Sequence, residues 1–112
     1  MEGKALTKHL RISPRKMRRV VDLIKGRNTD DAINVLHFSR KNAATHIEKT
    51  VRSAVANLLY VKPGADSHGL YVKEVFVDGG PVLKRARAGS MGRRNMIRRR
   101  TSHITVVVAE RG

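Results

Sequence analysis

Gly79-Gly80-Pro81-Val82-Leu83-Lys84-Arg85-Ala86-Arg87-Ala88-Gly89-Ser90-Met91-Gly92-Arg93-Arg94-Asn95-Met96-Ile97-Arg98-Arg99-Arg100 is the stretch that decides how this 112-residue chain is built. It holds eight basic residues (Lys84, Arg85, Arg87, Arg93, Arg94, Arg98, Arg99, Arg100) and no acidic one. On either side, Leu70 to Val77 (Leu-Tyr-Val-Lys-Glu-Val-Phe-Val) and Thr101 to Ala109 (Thr-Ser-His-Ile-Thr-Val-Val-Val-Ala) are rich in β-branched residues and read as strands. Two strands around such a segment predict a hairpin whose arms run past the sheet and turn near Gly89-Ser90-Met91-Gly92, where glycine permits positive φ. Each arm spans about 30 Å at strand rise, whereas a globule of this length has a radius of gyration near 13 Å. The hairpin must therefore protrude. Successive strand residues point to opposite faces, so Lys84-Arg85, Arg93-Arg94 and Arg98-Arg99-Arg100 place charge on both. A protein resting on a duplex needs one basic face, and one threaded into folded nucleic acid needs charge all round. The alternative is a disordered basic loop. Val82, Leu83, Met96 and Ile97, and the strand that resumes beyond, favour an element that is ordered on its partner.

Working outward, Lys4 to Arg11 alternates weakly and supplies a third strand. Ser13-Pro14 can cap and open a helix, and Met17, Val20, Val21 and Ile24 recur at helical spacing up to Lys25, with Gly26 as the stop. A second helix is predicted from Asn28, where Asp31 could complete a capping box, with Ala32, Val35 and Leu36 turned inward. Ser39 reads as the cap of a third, longer helix carrying Ala43, Ile47, Val51, Ala54, Val55 and Leu58, ending before Lys62-Pro63-Gly64. The predicted fold is α+β, with three helices packed on a small antiparallel three-stranded sheet and a long protruding basic β-hairpin. Residues 1–112 form a single domain in this reading, with the globular body at 1–78 and 101–112 and the extended hairpin at 79–100.

Charge sharpens the functional reading. The chain has 24 Lys plus Arg against 9 Asp plus Glu, a formal net charge of +15. Met1 to Val20 holds seven basic residues and one acidic, while Val21 to Asp78 is nearly balanced, eight against seven. Self-repulsion on this scale calls for a polyanion, either nucleic acid or an anionic membrane surface. Without cysteine there is no disulfide framework, thiolate metal site or cysteine nucleophile. No apolar run approaches the roughly 20 residues of a membrane span, and the N-terminal residues lack a signal peptide's apolar stretch, so the expectation is a soluble intracellular protein. Arg15, Lys16, Arg18 and Arg19, near a helix N-terminus, are candidates for a second phosphate contact.

Enzymatic signals are weak. Ser102 and His103 are strand neighbours that point apart, with no acidic orienter or nucleophile elbow. His9, His37, His46, His68 and His103 show no close metal-ligand spacing, and Gly89 to Gly92 lacks the companions of a P-loop. None of the four aromatics, Phe38, Tyr60, Tyr71 and Phe76, lies in the basic segment. Recognition should therefore lean on backbone, 2′-hydroxyl and shape more than on base stacking. An architectural DNA-binding protein with a basic β-arm is the alternative from another class. Such arms usually carry an apolar wedge or proline at the tip and belong to dimers; here Pro81 is at the hairpin base and the long helix shows no second apolar seam.

Ile12-Ser13-Pro14-Arg15-Lys16 leading into Val20-Val21-Asp22-Leu23-Ile24, then Gly80-Pro81 with Lys84-Arg85, Gly92-Arg93, and Arg100-Thr101-Ser102-His103-Ile104-Thr105-Val106 closely resemble the bacterial form of the twenty-second large-subunit ribosomal protein family. The resemblance runs nearly end to end in one segment order. It implies a non-enzymatic ribosomal protein of the cytoplasm, without cofactor or metal, whose partners are several domains of large-subunit (23S) rRNA, neighbouring ribosomal proteins and the nascent polypeptide, with no membrane or small-molecule substrate. It further implies a role in assembly and a hairpin tip that forms part of the polypeptide exit-tunnel wall. The resemblance carries over by position Lys84, Arg85, Arg93, Arg98 and Arg100 as rRNA contacts, and with the charge reading the expected rRNA-binding residues are Arg11, Ser13, Arg15, Lys16, Arg18, Arg19, Lys84, Arg85, Arg87, Arg93, Arg94, Arg98, Arg99, Arg100, Thr101, Ser102 and His103. Ala88, Gly89, Ser90, Met91, Gly92 and Arg93 are the expected tunnel-facing tip. There the family commonly carries Pro-Arg-Ala followed by Lys or Arg before the glycine matching Gly92, where this chain has Ala88-Gly89-Ser90-Met91; Arg87 and Arg94 stand where that pattern is usually uncharged.

Overall fold

The apolar C-terminal run becomes the centre of the sheet. In a computed structural model of the chain, residues 2–40, 42–80, 83–88 and 94–110 are described, with the backbone alone for residues 67, 83–88 and 94–99. In chain order the elements are β1 (Glu2–Leu10), α1 (Pro14–Val21), α2 (Thr29–His37), α3 (Asn42–Val61), a 3-10 turn (Ser67–Gly69), β2 (Leu70–Gly79), β3 (Leu83–Ala88), β4 (Arg94–Arg99) and β5 (Ser102–Glu110). The first sheet has the order β1-β5-β2 with both pairings antiparallel, and β3 and β4 form a second, two-stranded sheet. This is the α+β fold read from the sequence.

The central position of β5 explains why its apolar residues occupy both faces. Ile104, Val106 and Val108 join the core beneath the helices, while Thr105, Val107 and Ala109 alternate onto the other face and stay no more than 7% exposed. On β1, the residues beside that core strand meet α3. Thr7 Oγ1 lies 2.7 Å from Thr50 Oγ1, and an added Cβ on Gly3 would fall 2.4 Å from the Ala54 carbonyl oxygen and 2.6 Å from Leu58 Cβ. Only a residue without a side chain lets the strand and helix come this close. Met17, Val20, Val21, Ile24, Ala32, Leu36, Ile47, Val51, Ala54 and Leu58 complete a single core.

Helix boundaries differ from expectation for identifiable reasons. α1 ends at Val21 rather than Lys25, because Leu23 and Ile24 donate to carbonyls three residues back, those of Val20 and Val21. The chain then leaves the helix to pair with β2: Gly26, at φ 74°, donates to the Val72 carbonyl, and Val72 donates back to Arg27. The tight turn keeps Ile24 fully buried, so the apolar spacing is satisfied without a helix through Lys25. Asn28 does occupy the cap of α2 but makes no side-chain capping bond, so the capping box is not formed; Asp30 and Asp31 stand in the first turn, where their charge favours the helix N-terminus. α3 begins at Asn42, and Ser39, expected as its cap, donates its N–H to Leu36 at the exit of α2.

Each outer strand has one irregularity. β1 bulges between Thr7 and Leu10, where His9 takes a left-handed φ of 59°. β2 shifts register between Val72 and Glu74.

The two sheets follow one another along the same pair of chain segments. Gly79 pairs with Ser102, and the Gly80 N–H donates to the Thr101 carbonyl at 2.9 Å. Pairing resumes from Leu83↔Arg99 to Ala88↔Arg94, displaced by one residue. The molecule measures 65 × 25 × 15 Å with a radius of gyration of 17.1 Å, above the roughly 13 Å of a sphere-like domain of this length. The expected turn at Gly89 to Gly92 lies outside the described residues.

Candidate nucleic-acid interface

The hairpin leaves the body where Leu10, Gly79 and Ser102 come together, and this root is built by interlocking contacts. Ser13 caps α1, its Oγ accepting from the Lys16 N–H at 3.4 Å, with Pro14 at the first helical position. The Ser102 hydroxyl, fully buried, donates to the Ile12 carbonyl. Arg18 reaches from α1 to β2 and donates from Nη2 to the Val77 carbonyl at 3.1 Å. A Cβ on Gly80 would sit 2.4 Å from Thr101 Oγ1 and 3.1 Å from His103 Cε1. His103 Nδ1 accepts from the His9 N–H at 3.1 Å, and the two imidazoles stand edge to face with centroids 4.9 Å apart. The bond occupies the Nδ1 lone pair, so neutral His103 carries its proton on Nε2.

These contacts sort the expected site residues. Thr101 and Ser102 are 4% and 0% exposed, so their side chains hold the root together instead of facing solvent. Ser13 and Arg18 have internal partners of their own. Arg11, Arg15, Lys16, Arg19 and Arg100 are exposed, and none of them forms an ion pair among the described residues. The Ser102 hydroxyl and the His103 ring are held by separate partners, which leaves no nucleophile and base in contact. Sequence reasoning missed His9 and Gly80 as framework residues. A Gly-Pro pair at a hairpin base gives some signal for the second, whereas nothing local marks a histidine for left-handed backbone.

Three ion pairs among the described residues lie away from this end. Glu2 and Lys73 are hydrogen-bonded, and that bond with the opposite charge lowers the Glu2 carboxyl and raises the Lys73 ammonium from their ordinary values. Lys62 meets Glu110 at 2.9 Å, and His68 meets Asp30 at 2.8 Å. Bonding to Asp30, then the charges of Asp30 and Asp66, raises His68 above its ordinary value. The register shows that this is the opposite end: Glu2 pairs with Ala109 and Leu70 with Glu110. From Ser102, Glu110 is eight strand steps away, about 27 Å.

Beyond the root the ladder assigns the hairpin cations to faces. Directly paired residues share a face, so Lys84, Arg94 and Arg98 belong to one and Arg85, Arg87 and Arg99 to the other. Lys84 is placed opposite Arg98, a like-charge pairing that disfavours an isolated ribbon. Arg93 and the tip residues Gly89 to Gly92 lie outside the described residues, and Ala88 is the last residue of β3. Among the described residues no group of three or more His, Asp or Glu could hold a metal ion, and no helix is long and apolar enough to cross a membrane.

Comparison with known proteins bears on this arrangement as a whole. The family model described as ribosomal protein L22p/L17e matches residues 5–109, taking in body, root and hairpin. The chain belongs to this family. It is 50% identical over 110 residues to the large ribosomal subunit protein uL22 of Desulfitobacterium hafniense (strain DSM 10664 / DCB-2), covering 98% of this chain and 96% of that protein. The uL22 of Syntrophus aciditrophicus (strain SB) is 49% identical over 111 residues, 99% of this chain and all of the relative. The uL22 of Bifidobacterium longum (strain DJO10A) is 47% identical over 118 residues, covering 99% and 97%. For an L22p/L17e chain, the Thr101-Ser102-His103 run therefore gains a physical role: two buried hydroxyl residues and an imidazole that fix where the hairpin leaves the body.

Proposed function

We propose that this protein is a structural, non-catalytic component of the large ribosomal subunit, located in the cytoplasm within the ribosome. It binds several domains of large-subunit (23S) rRNA, aids assembly of the particle, and lines the polypeptide exit tunnel with the tip around Ala88 to Arg93. Neighbouring ribosomal proteins and the nascent polypeptide are its other partners. The chain acts as one domain, a body of residues 1–78 and 101–112 that carries the hairpin of residues 79–100.

The observation that carries this reading is the separation of charge. The hairpin ladder distributes three cations to each face with no acidic residue between Gly79 and Arg100. It is rooted among exposed Arg11, Arg15, Lys16, Arg19 and Arg100, while carboxylates of the opposite end are engaged with Lys73, Lys62 and His68. A ribbon of that kind repels itself until phosphates surround it, and arginine's planar fork suits phosphate from several directions. The match to uL22 proteins over nearly the full length points to ribosomal RNA as the polyanion.

Co-sedimentation with large subunits through a high-salt wash is the test. Retention on 50S-sized particles supports the assignment, and a wholly free pool defeats it. Affinity for large-subunit rRNA should also exceed that for plain duplex DNA at equal salt; equal affinities would favour the architectural DNA-binding alternative.

A further inference from the structure

The α2–α3 turn carries an exposed aromatic at the root end of the body. α3 passes Thr7 at Thr50 and Lys4 at Asn57, and Lys62, the residue after its end, meets Glu110, so the helix runs from the root toward the opposite end. Its first residues, and the turn that leads into it, lie on the side of the hairpin root. Within that turn Phe38 is 81% exposed. Single exposed apolar side chains are ordinary, but the surroundings of this one are specific. Its backbone closes α2, donating to the Asn34 carbonyl at 3.2 Å. Its ring stands edge to face with His37, centroids 5.2 Å apart at 84°, and the His37 imidazole lies 3.5 Å from the Glu48 carboxylate. Exposed Arg40 follows two residues on, and the nearby Glu48 carboxylate is already engaged by Arg52 at 3.1 Å. The result is a braced and open π surface beside a cation, on the cationic end of the molecule.

We propose that Phe38 is a stacking platform for an unpaired nucleobase of RNA, with Arg40 receiving the adjoining phosphate. The inference rests on the rRNA-binding reading and extends it, because it adds a single-stranded contact to an interface otherwise built on phosphates. Base stacking is suited to such a ring because every base offers a π face, and a phosphate beside it suits a guanidinium. Tyr60 is 88% exposed at the other end of α3, near the Lys62–Glu110 pair, and serves as the internal comparison.

The chain contains no tryptophan, so Phe38→Trp introduces a single reporter at the site. In the full-length protein this variant should bind a large-subunit rRNA transcript as wild type does, with its emission quenched on binding. Phe38→Leu keeps apolar bulk and loses the ring. It should weaken transcript binding by roughly 5- to 100-fold without altering the salt slope, while Arg40→Gln should reduce that slope by about one. Tyr60→Leu should change neither, and all three non-reporter variants should melt with wild type, since these side chains are exposed. Unquenched Phe38→Trp, or Phe38→Leu binding the transcript like wild type, overturns the proposal while leaving rRNA binding intact. An incorporation defect seen only in whole particles, with transcript binding unchanged, also overturns it and points to a protein contact. Wild-type protein that leaves the transcript unbound defeats the rRNA-binding reading and this one together.

Discussion

The body and the hairpin obey opposite rules. In the body, β5 is buried on both faces, helices cover one side of the sheet, and carboxylates at the end remote from the hairpin sit against cations. In the hairpin, the ladder sets cations on both faces, puts Lys84 opposite Arg98, and has no acidic residue within reach along its own sequence. The body pairs charges within itself, and in the proposed function the hairpin offers its charge to rRNA. The difference separates stability from affinity, so substitutions in the two regions should move different observables.

The largest effect should come from removing the hairpin. Deleting Pro81 to Arg99 takes away seven basic residues and should weaken binding to large-subunit rRNA at least about 100-fold at physiological salt, with the salt slope falling by about 4 to 6. The body should keep its helices and its cooperative melt. A deletion variant that unfolds would show that the hairpin belongs to the core and would break the comparison.

The reverse experiment addresses the body. In Gly3→Ala the new Cβ meets the Ala54 carbonyl oxygen at 2.4 Å and Leu58 at 2.6 Å, so β1 and α3 must move apart. Overpacking of this kind costs about 2–3 kcal/mol, which lowers the melting temperature of a domain this size by about 10–20 °C. Calorimetry would measure it. Affinity for rRNA, read below the melt, should be nearly unchanged.

Much of this architecture was legible in the sequence. β5 was clear because Thr101 to Ala109 is rich in β-branched residues, while its place at the centre of the sheet comes from its pairings with β1 and β2. The α3 stripe was clear because its apolar spacing persists for several turns. Ends and caps were harder, since tertiary pairing decides them: α1 stops at Val21 because Gly26 and Arg27 exchange hydrogen bonds with Val72, 45 or so residues away. Ser39 has the chemistry of a cap, yet its N–H completes the exit of α2. The charge of the interface was visible, but its division of labour was not. Ser102 and Thr101 look like polar surface residues until the close approach at Gly80 and the bond to Ile12 show them buried.

The root joins the two regimes and should respond in both observables at smaller scale. Ser102→Ala removes the hydroxyl that donates to the Ile12 carbonyl, a part-buried bond whose loss costs about 1 kcal/mol. Gly80→Ala drives a methyl onto Thr101 Oγ1 and the His103 ring, so the hairpin must be re-aimed. Its expected cost is about 1–3 kcal/mol, with a several-fold loss of rRNA affinity although no charge is altered. An unchanged affinity in Gly80→Ala would show that the exit angle of the hairpin is unimportant to binding.

The smallest effect belongs to the end opposite the root, where titration of His68 is a lever. Bonding to Asp30 raises His68 above 6.5, so the folded protein holds the proton more tightly than the unfolded chain. The stabilisation is fully present below the unfolded value and is lost as pH rises through the higher folded value. The pair is exposed, so screening keeps the effect slight. A proton NMR titration should place the His68 midpoint above 6.5 and return it toward that value in Asp30→Asn, while the same substitution leaves rRNA affinity unaltered. A His68 midpoint insensitive to Asp30 would remove the pair from the account. A change in rRNA affinity with Asp30→Asn would mean that the two ends of the body are not electrostatically independent.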